Sequence, residues 1–295
     1  MNQSEMTSKI AQGRGFIAAL DQSGGSTPKA LAGYGIEGGA WSTDEEMFDL
    51  IHQMRARIIT SPCFTGEKVI GAILFERTMD GMVDGMPTPG ALTARGIVPF
   101  IKIDKGLEDE TDGVQLMKPI SGLDDLLIRA KGLGVFGTKE RSVINLANRD
   151  GIAQVVAQQF QIARQVLAQG MMPIIEPEVN INSPERAGAD ALLRDAILAE
   201  LDRLPEGQQV MLKLSIPAEA GLFNGLVAHP KVLKVVALSG GFSRADACAG
   251  LARNKGMIAS FSRALLSELS HAMSDAQFDR TLGTAIDEIY TASVA

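Results

Sequence analysis

Residues 209–217 read Gln209-Val210-Met211-Leu212-Lys213-Leu214-Ser215-Ile216-Pro217, an apolar run of strand length with one lysine at its centre. The run predicts a strand, and an ammonium group inside it is costly. Burial disfavours the charged form and lowers a lysine pKa, which turns the side chain into a neutral amine able to attack a carbonyl. The competing reading is a lysine that buries its stem and keeps its head in water. What the rest of the chain builds around Lys213 decides between them.

Comparable runs recur along the chain, at Gly15 to Leu20, Val69 to Phe75, Ile97 to Ile103, Val135 to Lys139, Met172 to Val179, Val210 to Ile216, Leu233 to Leu238 and Met257 to Phe261. Between them lie amphipathic stretches with apolar residues at helical spacing, such as Ile152, Val155, Val156, Phe160, Ala163 and Leu167, closed by Gly170. Another begins Ser183-Pro184-Glu185, a cap with proline in the first turn. Strands alternating with helices imply βα units around a parallel sheet. Eight of them in about 260 residues predict a (β/α)8 TIM barrel, for which roughly 250 residues is typical, with a doubly wound open sheet as the competitor. The 295 residues are 45% hydrophobic with no compositional break or linker, so one domain over 1–295 is expected. Two stretches rich in Gly, Pro and acidic residues, Asp80 to Ala91 and Gly106 to Leu123, interrupt the repeat and are expected to border or cover a site.

A net charge of −7 argues against nucleic acid or an anionic membrane as a partner while leaving room for a local basic pocket. The two cysteines, Cys63 and Cys248, have no knuckle or disulfide spacing. No leader or membrane-spanning run is apparent, so a soluble, cytoplasmic protein is expected. A homo-oligomer is left open, because outward-facing apolar residues look like core helix faces in a sequence.

The active site of a (β/α)8 barrel gathers at the C-terminal ends of its strands, and here those ends are polar. The first ends at Asp21, the second at Glu76, the third at Lys102 and Asp104, and the fourth at Lys139 and Arg141. The fifth ends in Glu176-Pro177-Glu178, the sixth carries Lys213, the seventh runs into Ser239-Gly240-Gly241 and the eighth into Ser262 and Arg263. Side-chain alternation puts Lys102 with Asp104, Lys139 with Arg141, and Glu176 with Glu178 on common faces. Taken singly, each charge reads equally well as a solvated loop residue or a structural ion pair.

Ser239-Gly240-Gly241 offers unobstructed backbone amides and Arg263 a permanently charged fork, which suits a phosphate in the usual position after strands seven and eight. The loop Ser23-Gly24-Gly25-Ser26, with Lys102, suggests a second anion subsite, although such a turn is by itself a weak signal. None of the three histidines, His52, His229 and His271, falls at a strand end; His52 and His271 sit in helical patterns and His229 in a His-Pro turn. A zinc lyase would group histidines around its metal, so no metal and no cofactor are expected. An amine nucleophile with cations to keep it neutral and carboxylates to move protons is the metal-free alternative.

These residues, in the motifs Leu20-Asp21-Gln22-Ser23-Gly24-Gly25-Ser26, Ile101-Lys102-Ile103-Asp104-Lys105-Gly106, Thr138-Lys139-Glu140-Arg141, Pro173-Ile174-Ile175-Glu176-Pro177-Glu178, Leu212-Lys213, Leu238-Ser239-Gly240-Gly241 and Phe261-Ser262-Arg263-Ala264-Leu265, resemble class I fructose-1,6-bisphosphate aldolases, most closely the bacterial branch. The resemblance spans nearly the whole chain. It implies a TIM barrel that reversibly splits fructose 1,6-bisphosphate into dihydroxyacetone phosphate and glyceraldehyde 3-phosphate in glycolysis and gluconeogenesis. It further implies Lys213 as the imine-forming amine, Glu176 as general acid and base, and Asp21 acting on the hydroxyl at carbon four. Lys139 would stabilise negative charge and keep Lys213 neutral, with Glu178 and Arg141 completing the network. Ser239, Gly240, Gly241, Ser262 and Arg263 resemble the site for one phosphate, and Ser23, Ser26 and Lys102 the site for the other. Two features depart from the family: the chain stops at Ser293-Val294-Ala295 where animal members carry a tyrosine-tipped tail, and Lys29 is followed by Ala30 where some relatives have arginine. Tyr290 is the tyrosine nearest that end, in a helical pattern that predicts packing.

Two other functions are weighed against this one. A Schiff-base aldolase or transaldolase for a different sugar phosphate fits two phosphate subsites less well. A sugar-phosphate binding protein on the same scaffold would need the anion ligands but not Lys213, Glu176, Asp21 and Lys139.

Overall fold

The apolar runs become strands whose two faces are both buried. In the computed structural model, which describes residues 1–295, the strands are β1 (Phe16–Leu20), β2 (Val69–Leu74), β3 (Val98–Lys102), β4 (Gly137–Ile144), β5 (Met172–Val179), β6 (Val210–Ser215), β7 (Val232–Leu238) and β8 (Met257–Ala259). Each pairs in parallel with the next in chain order. The Ala19 amide donates to the Phe261 carbonyl at 3.2 Å, which joins β1 to the end of β8 and closes a (β/α)8 barrel rather than an open sheet.

Helices fill the connections because their apolar faces need the outside of the barrel. The helix Arg149–Ala168 starts on an Asn148 side chain that accepts from the Asp150 and Gly151 amides at 3.0 Å each. It stops just before Gly170, whose φ of 71° is a left-handed turn that a side chain would resist. A layer of Leu, Ile, Val and Phe packs between helices and strands.

Inside the barrel a second apolar cluster unites Ile17, Val98, Phe100, Phe136, Ile174, Met211, Val236 and Ile258. Met6 and Ile10, one helical turn apart, join it from the helix Gln3–Gln12 and plug the barrel's base. The apolar plug and the charged site share faces. Two residues beyond Phe100 stands Lys102, two beyond Ile174 stands Glu176, and two beyond Met211 stands Lys213.

Several expectations need correction. β4 runs to Ile144 rather than ending at Lys139, because its far end is held by an antiparallel partner, Val114–Gln115; Arg141 therefore lies within the strand. β8 ends at Ala259, two residues short of Phe261. The stretch 80–91 is a hairpin, Met82–Val83 against Met86–Pro87, leading into the helix Thr88–Ala94. His271 lies in a turn before the last helix, Asp275–Ser293, rather than in a helix.

Candidate active site

At the C-terminal mouth of the barrel is a cavity of about 800 Å³. Its lining includes Asp21, Ser23, Ser26, Lys102, Lys139, Arg141, Glu176, Glu178, Lys213, Ser239, Gly240, Ser262 and Arg263, so the structure brings these sequence-predicted residues together. Gly241 is exposed beside the lining rather than part of it, and Glu76 is outside, paired with Lys105 at 2.7 Å and with Arg129 at 2.5 Å. Gly106 and Leu107 border the cavity, whereas nothing from 80–91 reaches it.

At the bottom four charges form one chain. Asp21 Oδ2 is 2.6 Å from Lys139 Nζ, Lys139 Nζ is 2.9 Å from Glu176 Oε2, and Glu176 Oε1 is 3.0 Å from Lys213 Nζ. All four residues are nearly inaccessible, from 2% exposed for Lys139 to 8% for Asp21. Burial alone would neutralise such groups, so the pairing decides their charge. Burial opposes ionisation of Asp21, but Lys139 and Lys213 outweigh it and hold the carboxyl far below its ordinary range. Glu176 is lowered by the same two lysines against the same penalty. Burial would lower Lys139, yet Asp21 and Glu176 push it above the ordinary lysine value. Glu176 therefore stands between the two lysines, touching both, and the repulsion expected to act between them is bridged by a carboxylate.

Around this core Arg141 Nε donates to Glu178 Oε2 at 2.5 Å. Lys102 Nζ donates to the carbonyl and the carboxylate of Asp104 at 2.9 and 2.7 Å, which ties its charge to the end of β3.

The two candidate anion sites are built on glycine turns with positive φ. Gly240 and Gly241 have φ of 61° and 120°, and a Cβ on Gly241 would lie 3.3 Å from Arg263 Nη2. Glycine here both allows the turn and lets the guanidinium close over the amides. In the loop after β1, Ser26 Oγ donates to the Ser23 carbonyl at 2.8 Å and accepts from the Ser23 amide at 2.9 Å, pinning the Gly24-Gly25 turn and the start of the helix Ser26–Gly33.

Some cavity residues escaped the sequence reading. Gln22, Tyr34 and Ser260 line it, and so does Lys29, noted only for its neighbour Ala30. Ser260 was detectable, since it shares a face with Ser262, and its buried hydroxyl has no protein partner. Tyr34 accepts from Arg57 Nη1 at 3.2 Å, and nothing local in the sequence marks it. Tyr290 packs against the outer core with Lys68 over its ring. No group of three or more His, Cys, Asp or Glu side chains is arranged to hold a metal ion, and no helix is long and apolar enough to cross a membrane.

Comparison with known proteins places the chain in a family. Residues 3–216 match the family model described as fructose-bisphosphate aldolase class-I. The chain is 55% identical over 291 residues to a fructose-bisphosphate aldolase class 1 of Synechocystis sp., covering 98% of this chain and 97% of that one. It is 53% identical over 291 residues to the corresponding protein of Porphyromonas gingivalis, covering 98% and 99%. Among solved structures, the fructose-bisphosphate aldolase of Plasmodium falciparum superposes with a TM-score of 0.79 at 21% identity, covering 99% of this chain and 94% of that one, a likeness of fold. A barrel of this topology, a buried lysine–carboxylate chain at its mouth and full-length identity above one half to bacterial relatives lead to one conclusion: the chain belongs to the class I fructose-bisphosphate aldolases and is a lyase.

Proposed function

We propose that the protein cleaves fructose 1,6-bisphosphate reversibly through an imine on Lys213, without a metal, serving glycolysis and gluconeogenesis in the cytoplasm. The observation that carries this reading is Glu176, in contact with both Lys139 and Lys213. Lys213 must shed a proton before it attacks the ketone at carbon two, and Glu176 Oε1 at 3.0 Å is in position to take it. The same acid then protonates the departing hydroxyl of the carbinolamine, and water leaves. The product is an iminium cation, so the buried site keeps the charge it had with an ammonium. Replacing one cation by another avoids the cost of a new unpaired charge in low dielectric.

Asp21, held ionised by Lys139, is the base for the hydroxyl at carbon four. As that proton leaves, the bond between carbons three and four breaks and its electron pair moves into the iminium, giving an enamine and free aldehyde. Protonation at carbon three and hydrolysis return Lys213 and release dihydroxyacetone phosphate. Arg263 with Ser239, Gly240 and Gly241, assisted by Ser262, anchors one phosphate. Lys102 with the Ser23–Ser26 loop anchors the other, while Arg141 and Glu178 brace the wall between.

A cleavage assay on two samples tests this. Wild-type enzyme treated exhaustively with chelator is expected to keep full activity, and Lys213→Met to lose at least about four orders of magnitude in kcat while still binding fructose 1,6-bisphosphate. Activity lost to chelator and restored by zinc, or appreciable turnover by Lys213→Met, would contradict the mechanism.

A further inference from the structure

The loops after β1 and β8 meet at a bond between neutral groups: Gln22 Nε2 donates to Ser262 Oγ at 2.5 Å. From behind, Gln22 is held by Arg55, which is fully buried in the helix Asp44–Thr60. Arg55 Nη1 donates to Thr78 Oγ1 at 2.7 Å, and its Nη2 to the Gln22 carbonyl at 2.5 Å and to Gln22 Oε1 at 3.3 Å. No carboxylate lies within ion-pair distance of the guanidinium, and burial lowers its pKa to about 10 despite the field of Asp21. An unpaired buried guanidinium costs stability, so its retention calls for a task.

That task is visible in the direction of the hydrogen bonds. A glutamine amide fits its site almost equally well in either of two flips, and only its neighbours choose between them. Arginine can only donate and a backbone carbonyl can only accept. Oε1 therefore faces Arg55, and the NH2 faces Ser262 and the Ala19 carbonyl, the latter at 3.5 Å. The Ser262 oxygen is thus an acceptor toward Gln22, and its own hydrogen is left free for a group in the cavity, which Arg263 also lines.

We propose that Arg55 and Gln22 are positioning residues that set the polarity of Ser262, keeping its hydroxyl hydrogen free to donate toward a phosphate oxygen held by Arg263 and the Ser239–Gly241 loop. The inference rests on the reading of that loop as a phosphate anchor.

Steady-state cleavage of fructose 1,6-bisphosphate by Gln22→Glu tests it. The substitution keeps the shape and gives Arg55 a carboxylate, so thermal stability rises. It also offers Ser262 an acceptor, which draws the hydroxyl hydrogen away from the cavity. KM is expected to rise about tenfold with kcat within about twofold, the mark of binding lost equally in ground and transition states. The added charge could by itself repel phosphate, and Ser262→Ala separates the two effects. In that background Gln22→Glu should raise KM only about threefold or less. Gln22→Met, uncharged and of similar volume, should raise KM by a smaller factor that likewise shrinks when Ser262 is alanine, and it serves if the glutamate variant does not fold. A penalty of equal size with and without the Ser262 hydroxyl would overturn the relay. Arg263→Ala tests the anchor separately: an unchanged KM would remove the phosphate reading itself, whereas a raised KM with a Ser262-independent Gln22 effect would remove only the relay.

Discussion

Lys139 and Glu140 are neighbours in β4, both inaccessible, with opposite fates. Lys139 faces the mouth and meets two carboxylates. Glu140 faces the helix layer, where neither of its oxygens has a partner and where Thr138 Oγ1 and Ser142 Oγ on the same face also lack one. Burial, reinforced by the negative charge of Asp104, pushes the Glu140 carboxyl well above its ordinary value of 4.5. The folded chain therefore holds a proton that the unfolded chain releases, and stability falls as pH rises from the ordinary carboxylate range through the raised value. Glu140→Met, which fills the space without a carboxyl, is expected to be about 1–3 kcal/mol more stable in urea titrations at pH 8, with the difference shrinking toward pH 4.5. A variant less stable at pH 8, or a difference independent of pH, would show that Glu140 has partners in solution. Nothing in Thr138-Lys139-Glu140-Arg141 distinguishes these fates. Lys139 and Arg141 were legible as a shared face, while the cost at Glu140 depends on a helix packed over it.

At the scale of elements, the barrel strands were legible because burial on both faces makes them continuous apolar runs. The helix Gln3–Gln12 was not: it holds only two buried residues, Met6 and Ile10, and its partner surface is the far end of all the strands together. Its Lys9 donates to the Gly66 carbonyl at 2.6 Å, and Lys234 from β7 donates to the Ala11 carbonyl at 2.8 Å, pinning it under the barrel. Ile10→Ala leaves a hole in that plug and is expected to cost about 2–5 kcal/mol in denaturant unfolding, with kcat unchanged in the folded fraction. A loss under about 1 kcal/mol would mean that the helix is dispensable to the core. Arg55 escaped notice for the opposite reason. An arginine at helical spacing beside Arg57 reads as a solvated face, and only the loop after β1, folded back over it, reveals a buried one.

At the scale of the whole molecule, a chain of net charge −7 concentrates cations where an anionic substrate must enter. The cavity is lined by six lysines and arginines, Lys29, Lys102, Lys139, Arg141, Lys213 and Arg263, against four carboxylates, Asp21, Asp104, Glu176 and Glu178. The acidic exterior discourages polyanions while the mouth attracts a small one, a focusing that salt should weaken. In the proposed function, two phosphate anchors at the mouth and a nucleophile at its base account for a bisphosphate split in the middle. The whole account rests on Lys213 becoming covalently bound to a ketose. Borohydride added to the enzyme with dihydroxyacetone phosphate, followed by mass mapping of peptides, measures this most directly. The prediction is a stable secondary-amine adduct on Lys213 that Glu176→Ala slows and chelator leaves untouched; no adduct, or an adduct on Lys139 or Lys102 instead, would contradict it.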